Sequence, residues 1–335
     1  VRTPRKTTME DVARAVGVSR TTVSFVLNER SDVRIPASTR EKIRQAAREL
    51  GYRPHDAARA LASRRTGQIG LVSEIVTSPL GSATIRGVQD AARQAGYSLF
   101  IVPTTPSGEE DPEAFETLLK ARVEGIIYAT GWHCQVSMPP QAREIPTVLV
   151  HCTDPGSGLP EVRPDEYSLG RLEAQALLEG HHRDIGVIEL ADDGEAAPGR
   201  RAGCEEYLAQ AGIAWETVRS AVGHGTTRGG YAAACALMDA DPWMTALLCG
   251  NDRMAMGAYD ALRERGLRVR DDVAVIGIDD QELIADQLHP ALTTVALPFE
   301  EMGRVGVDHL LTLIAGGEVP ATTFLPGRLV RRNSA

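Results

Sequence analysis

Aromatic residues are scarce, at 4% of 335 residues. No uninterrupted apolar run approaches the length needed to cross a bilayer, so no membrane partner is expected. The cysteines, at 134, 152, 204, 235 and 249, are odd in number and lack close paired spacing. That argues against a disulfide framework and a structural zinc site, and fits free thiols in a reducing cytoplasm. No apolar h-region precedes the first helix, so an export signal is not expected either. Catalytic signatures are also missing. There is no GxxxxGK[ST] loop, the first body strand is followed by VTSPLG where a dinucleotide fold would carry GxGxxG, and no GxSxG elbow occurs. None of the histidines forms HExxH or another metal-ligand spacing. The adjacent His181 and His182 fit structural hydrogen bonding between a helix and a strand. No catalytic residue, metal or cofactor is assigned.

What is present begins with a division of charge. The formal net charge is -9, yet residues 1–68 hold fifteen Lys and Arg against seven Asp and Glu, while the remainder holds 21 against 38. A basic head is joined to an acidic body, and a basic patch is the electrostatic footprint of a nucleic-acid partner. At 335 residues the chain exceeds one comfortable core, so two or three domains are expected.

The head contains TMEDVARAVGVSRTTVSFVLN from Thr8 to Asn28. Thr8 stands at a cap position with Asp11 three residues on. Val12, Ala13 and Val16 make a narrow apolar stripe, Gly17 ends the helix, and Ser19 offers a second cap. The next helix buries Val23, Val26 and Leu27 and leaves Arg20, Thr21, Thr22 and Ser24 outside. A helix-turn-helix puts the start of its second helix in the major groove, where Arg can take guanine O6 and N7 and Thr can meet a base edge. The same pattern also occurs in helical hairpins that bind nothing.

A third helix is expected from about Ser38 to Leu50, with Ile43, Ala46, Ala47 and Leu50 facing the first two and Gly51 stopping it. Arg40, Lys42, Arg44 and Arg48 are either phosphate contacts or the solvated side of that helix. Next comes GYRPHDAARALASRRTG. Pro54 opens a short helix through Ala57, Ala58 and Leu61 with almost no core of its own. It reads either as a linker lying on the body or as a hinge that packs against a second copy and drives Leu61 into a minor groove.

From Gln68 onward the pattern alternates strand and helix. Strands are expected at 69–76, 97–102, 123–128 and 147–150, and in a second set at 185–190, 245–249 and 273–278, with helices between them. One of these helices begins at Arg200. Two α/β halves in tandem, each with a parallel sheet covered on both faces, place a small ligand between them at the carboxyl ends of the strands. Ser78, Leu80, Tyr128, His151, Asp165, Arg200, Asn251 and Asp279 lie at those ends. Asn251 could equally be a helix cap and Asp279 part of a tight turn. A sugar-like ligand wants carboxylates, amides and an arginine to hold its hydroxyls.

Several segments taken together resemble the lactose/galactose/purine repressor family of bacterial transcription regulators. They are DVARAVGVSRTTVSFVLN, REKIRQAARELGYRPHDAARAL, LLEGHHRDIGVI, GRRAG, CGNDRMAMGAYDAL, VAVIGIDD and PALTTV. The resemblance implies an α/β chain with a three-helix helix-turn-helix head (1–53) and a hinge helix (54–67). Two doubly wound subdomains of the periplasmic-binding-protein type follow, at 68–163 with about 293–320, and at 164–292 with about 321–335. It implies that Arg20, Thr21, Ser24 and Phe25 read the major groove, that Leu61 is the minor-groove leucine, and that Thr8, Ser19, Thr22, Asn28, Tyr52, Ala57 and Arg59 complete the DNA-contacting set. The partners it implies are a pseudo-palindromic operator, a sugar or sugar derivative, and a second copy of the chain in a cytoplasmic homodimer. No heptad segment for tetramer formation is seen after Arg332. Arg200, Asn251 and Asp279 match effector-binding positions, and Asp165 lies in a pocket-edge segment.

Three departures stand out. Leu80 replaces an aromatic ring, His151 replaces a ligand-binding carboxylate, and Gly225 lies where some members carry an aromatic platform. Trp132 and Trp243 could stack on a ligand instead, or belong to the core. Rival readings are a ligand-independent dimeric repressor and a sugar-binding enzyme.

Overall fold

The computed structural model describes residues 7–27, 33–52, 65–77, 82–191 and 194–335. The chain divides into two compact units, Val1–Gly67 and Gln68–Ala335.

In the first unit, α1 (Met9–Val16) starts on a reciprocal cap: the Thr8 hydroxyl accepts from the Asp11 N–H, and the Asp11 carboxylate takes the Thr8 N–H at 2.9 Å. Gly17, at φ 75°, closes the helix by donating its N–H to the Ala13 carbonyl. That left-handed turn is open to glycine at little cost. Ser19 begins α2 (Arg20–Leu27) by accepting from the Thr22 N–H at 3.1 Å. With α3 (Ala37–Glu49), these helices bury Val12, Ala13, Val23, Val26, Ile43 and Ala47 in one small core. Leu27 is only half-buried, short of the burial expected for it. Helices of 8, 8 and 13 residues are too short to persist alone in water, so this shared core holds them. Arg40 follows neither of its two readings, phosphate contact or solvated helix face. Its guanidinium turns inward and donates to the carbonyls of Val33 and Ile35, at 2.9 and 3.3 Å, tying down the segment before α3.

The second unit runs in chain order as β1 (Gln68–Ser73), α4 (Ser82–Gln94), β2 (Ser98–Pro103), α5 (Asp111–Ala121), β3 (Ile126–Gln135), β4 (Thr147–Thr153) and β5 (Glu161–Pro164). It continues with α6 (Glu166–Glu179), β6 (Ile185–Glu189), α7 (Ala196–Gln210), β7 (Arg219–Val222), α8 (Thr227–Ala240), β8 (Ala246–Cys249), α9 (Asp252–Glu264) and β9 (Ala274–Asp279). It ends with β10 (Thr293–Ala296), α10 (Phe299–Ile314), β11 (Thr322–Leu325) and β12 (Arg328–Val330). One sheet has the order β11-β5-β4-β3-β1-β2 and the other β12-β10-β9-β8-β6-β7. All pairings are parallel except β10 with β12. Helices on both faces keep the inner strands dry, while the edge strands β2, β7, β11 and β12 stay partly exposed. Leu71, Ile127 and Val150 meet Val88 and Met302 on one face of the first sheet, and Val72, Tyr128 and Leu149 meet Phe115 and Leu118 on the other.

In each sheet the order reverses beside the founding strand, between β1 and β3 and between β6 and β8. Crevices open at the carboxyl ends of strands at such reversals.

Three expectations about this unit are corrected. The first strand stops at Ser73 and passes into a single 3-10 turn, Glu74–Thr77, because the Glu74 carboxylate is buried and accepts the Gly131 N–H. The third strand does not end at Tyr128 but runs on to Gln135. The returns between halves fall later than 293 and 321. β10 still pairs in the second sheet and β11 still pairs in the first, so the chain crosses back just before α10 and again between Leu325 and Arg328.

Candidate functional site

A cavity of about 310 Å³ opens where the carboxyl ends of the two sheets face each other. The first half contributes Gly131, Trp132, His133, His151 and Phe299. The second contributes Leu190, Arg200, His224, Gly225, Asn251, Arg253, Asp279 and Gln281, among others. The expected His151, Arg200, Asn251 and Asp279 are therefore brought together. Tyr128 and Asp165 are not. The Tyr128 hydroxyl donates to Asp111 at 2.7 Å inside the first half's core. Asp165 caps α6 by accepting from the Ser168 N–H at 3.1 Å. Ser78 and Leu80 lie outside the described residues.

Arg200 is placed by a close helix crossing. It sits a full turn into α7, which begins at Ala196 and not at Arg200 as expected. A methyl on Gly170 of α6 would lie 1.9 Å from the Arg200 carbonyl oxygen, so only glycine lets the two helices approach this far. Across that contact the Arg200 Nε donates to Glu166 Oε2 at 2.7 Å, and its Nη1 donates to the Gly250 carbonyl at 2.5 Å. The other Glu166 oxygen meets His133 Nδ1 at 3.0 Å. Burial pushes the Glu166 carboxyl up, but Arg200 and His133 overcome it and hold the group at about 2. Glu166 and His133 were not anticipated as site residues: the third strand was expected to stop short of one, and nothing in the sequence spacing joins it to the other.

The extension of β3 explains how His133 arrives there. Ala129 pairs with Val150 and Cys134 with Cys152, so four residues of β3 stand opposite His151 alone. Bulges of this kind bend a strand and re-aim its side chains. Thr130 secures this one, its hydroxyl bridging the carbonyls of Trp132 and His151 at 2.8 Å each. The imidazoles of His133 and His151 consequently stack at 5.9 Å between centroids, and the edge of His151 meets Phe299 at 5.4 Å. Burial drives His151 down to about 3, with His133 adding to the shift.

On the opposite wall Asn251 does cap its helix, accepting from the Met254 N–H at 2.8 Å, and also lines the cavity while donating to the Gly225 carbonyl at 3.1 Å. Asp279 is raised to about 6 by burial, a shift that Arg200 partly counters. Its φ of 120°, with 63° at His151 and 51° at His224, puts three non-glycine cavity residues in the left-handed half of backbone space. Strain of this kind persists only where the surroundings enforce it, and it collects at ligand sites. Among the described residues, four buried polar atoms of the lining side chains have no hydrogen-bond partner: His133 Nε2, His151 Nε2, Arg253 Nε and Gln281 Oε1. Burial without a partner costs on the order of 1–3 kcal/mol per group. Trp132, half-exposed, borders the cavity, whereas Trp243 is 83% exposed and does not line it.

In the head, Arg20 and Thr21 are exposed at the start of α2, and Ser24 and Phe25 are half-buried. The hydroxyls of Thr8, Ser19 and Thr22 are engaged in capping, with Ser19 and Thr22 at 2.8 Å from each other. Tyr52 packs against the head core, where burial pushes its hydroxyl up and Arg20 opposes the shift. Asn28, Ala57, Arg59, Leu61 and the hinge helix that would contain the last three lie outside the described residues.

Comparison with known proteins agrees with this arrangement. A family model described as bacterial regulatory proteins, lacI family, matches residues 8–55, and one described as a periplasmic binding protein-like domain matches residues 174–335. The ribose operon repressor of Escherichia coli is 34% identical over 91% of this chain and 92% of its own length. The lac repressor dimer bound to operator and the anti-inducer ONPF superposes with a TM-score of 0.81 at 29% identity, covering 98% of this chain and 99% of that one. A complex of the transcriptional regulator CelR with cellobiose gives a TM-score of 0.68 at 30% identity, covering 98% and 100%. A helix-turn-helix head followed by two doubly wound halves around a polar cavity, with relatives matched over nearly the full length, makes this chain a transcriptional regulator of the LacI family.

Proposed function

We propose that the chain is a cytoplasmic repressor of carbohydrate-utilisation genes. In this reading, two copies bind a pseudo-palindromic operator, and a small polyhydroxylated effector in the cavity sets the affinity for that operator. The observation that carries the effector reading is the set of four buried polar atoms, unpartnered among the described residues, around one cavity that also presents Arg200, Asn251 and Asp279. A sugar supplies hydroxyls that both donate and accept, the complement such a lining requires. The names of the relatives point the same way, being a ribose operon repressor and a regulator complexed with cellobiose. A ligand of this kind shifts the regulator only by its differential affinity for two arrangements of the body.

The reading is tested by thermal shift and calorimetry with ribose, maltose and cellobiose. A ligand at a hundred times its Kd stabilises the fold that binds it by about 2.7 kcal/mol, a shift readily measured. At least one of these sugars is expected to bind. Asp279→Ala is expected to lose that binding and keep the parent's affinity for operator DNA. Undiminished sugar binding by Asp279→Ala would contradict the pocket assignment, and silence from every sugar would contradict the effector class.

A further inference from the structure

The two stacked imidazoles are not used by the reading above beyond lining the cavity, and their hydrogen bonds fix more than their position. His151 Nδ1 lies 3.2 Å from the Thr130 carbonyl oxygen, which can only accept, so Nδ1 carries the proton. His133 Nδ1 lies 3.0 Å from a Glu166 oxygen whose partner oxygen already takes the Arg200 Nε–H at 2.7 Å. That carboxylate is ionised and accepts, so Nδ1 of His133 carries the proton as well. A ring that holds only this proton shows a bare Nε2 lone pair, and both Nε2 atoms are buried, have no hydrogen-bond partner among the described residues and belong to residues that line the cavity. The rings are 6% and 2% exposed, so bulk water does not serve either lone pair. Second protons on both rings would put like charges side by side at 5.9 Å between centroids, in a cavity wall shared with Arg200 and almost out of contact with solvent.

We infer that His133 and His151 form a paired neutral acceptor that selects an uncharged polyol, one donating a hydroxyl to each Nε2, and turns away a carboxylate or phosphate at the same end of the cavity. The inference rests on the effector reading above. An anion placed there would face two lone pairs, or would require both buried rings to take up protons. The hydroxyls of a neutral sugar satisfy both nitrogens with no change of charge. The carbonyl of Thr130 and the Glu166–Arg200 pair thus act as positioning groups that set which atom each ring offers.

The test is a long-range proton–nitrogen spectrum of the full chain labelled at histidine, near neutral pH, with His133→Gln and His151→Gln supplying the assignments. Both rings are expected to show a protonated Nδ1 and a bare Nε2. Ribose, maltose, cellobiose, glucose 6-phosphate and glucuronate are then added in turn. A neutral sugar is expected to move both Nε2 signals, and in calorimetry His151→Phe is expected to bind that sugar about tenfold more weakly. The spectrum of the unaltered chain decides the matter even if that variant does not fold. An Nε2–H tautomer or an imidazolium at either position overturns the inference and leaves the effector reading standing. So does a neutral sugar that binds without moving the Nε2 signals, or glucose 6-phosphate moving them in its place. Failure of all five to bind defeats the effector reading, and this inference falls with it.

Discussion

Asp279, which lines the cavity, joins a proposed ligand contact to a pH-dependent share of stability. Burial raises its carboxyl from the ordinary 3.8 to about 6. The folded state therefore keeps a proton that the unfolded chain has released, and stability falls as pH climbs from about 4 to about 6. Asp279→Asn, which cannot ionise, is expected to melt above the parent at pH 8, with the difference closing toward pH 4 in a thermal scan series. The same titration should act on binding. Sugar affinity is expected to weaken as pH falls through about 6 in the parent, because a neutral carboxyl accepts hydroxyl donors less well, and to stay flat in the asparagine variant.

In the head, Arg20→Ala should cost about 1–3 kcal/mol on the preferred duplex and relax sequence preference there, while binding to random DNA changes much less. Titrations on both duplexes check this, and equal losses would mean that Arg20 touches only phosphate. At this scale the sequence was legible where a residue stood at the end of a strand or helix. Asn251 and Asp279 were reached that way, whereas Arg200 was reached from a misplaced helix start, since α7 begins at Ala196. Glu166 and His133 were not, since their pairing crosses from one half of the body to the other and no spacing along the chain encodes it. Tyr128 misled for the opposite reason: it looks terminal in the run VEGIIY, yet its strand continues and its hydroxyl is held by Asp111.

Among elements, the caps and stops of the head were readable because they are local. Thr8, Asp11, Gly17 and Ser19 lie within four residues of the groups they satisfy. Thr8→Ala is expected to destabilise α1 by about 1 kcal/mol, read as faster amide exchange across that helix with the body unaffected. The bulge in β3 was not readable, because TGWHCQ has neither the alternation nor the β-branched density that marks a strand. It pairs only because β4 supplies a fully buried partner. The crossing of α6 and α7 is the element on which the cavity's charged wall depends. Gly170→Ala puts a methyl 1.9 Å from the Arg200 carbonyl, and the helices must separate. A loss of about 1–3 kcal/mol in a urea melt is expected, together with weaker sugar binding, since Arg200 and Glu166 move apart. An unchanged melt would show that this contact relaxes without cost.

Across the whole molecule, the division of charge carries the most information that composition alone could give. A formal -9 hides a basic reader and an acidic body, so an average would have pointed away from DNA. The tandem α/β plan was legible from the alternation of apolar runs with helical patterns. The points where the chain passes between halves were not, because β10, β11 and β12 are only three or four residues long and carry no period of their own. No helix among the described residues is long and apolar enough to cross a membrane.

In the proposed function, a head that reads sequence is joined to a body that responds to a neutral sugar. The measurement that tests this most directly is fluorescence anisotropy of the full chain on a duplex selected from a random pseudo-palindromic pool, against a scrambled control, with and without the sugar identified by calorimetry. The selected duplex is expected to bind at least about a thousandfold more tightly than the control, and the sugar to shift that affinity by about tenfold or more. Equal binding to both duplexes, or an affinity indifferent to a sugar that demonstrably occupies the cavity, would contradict it.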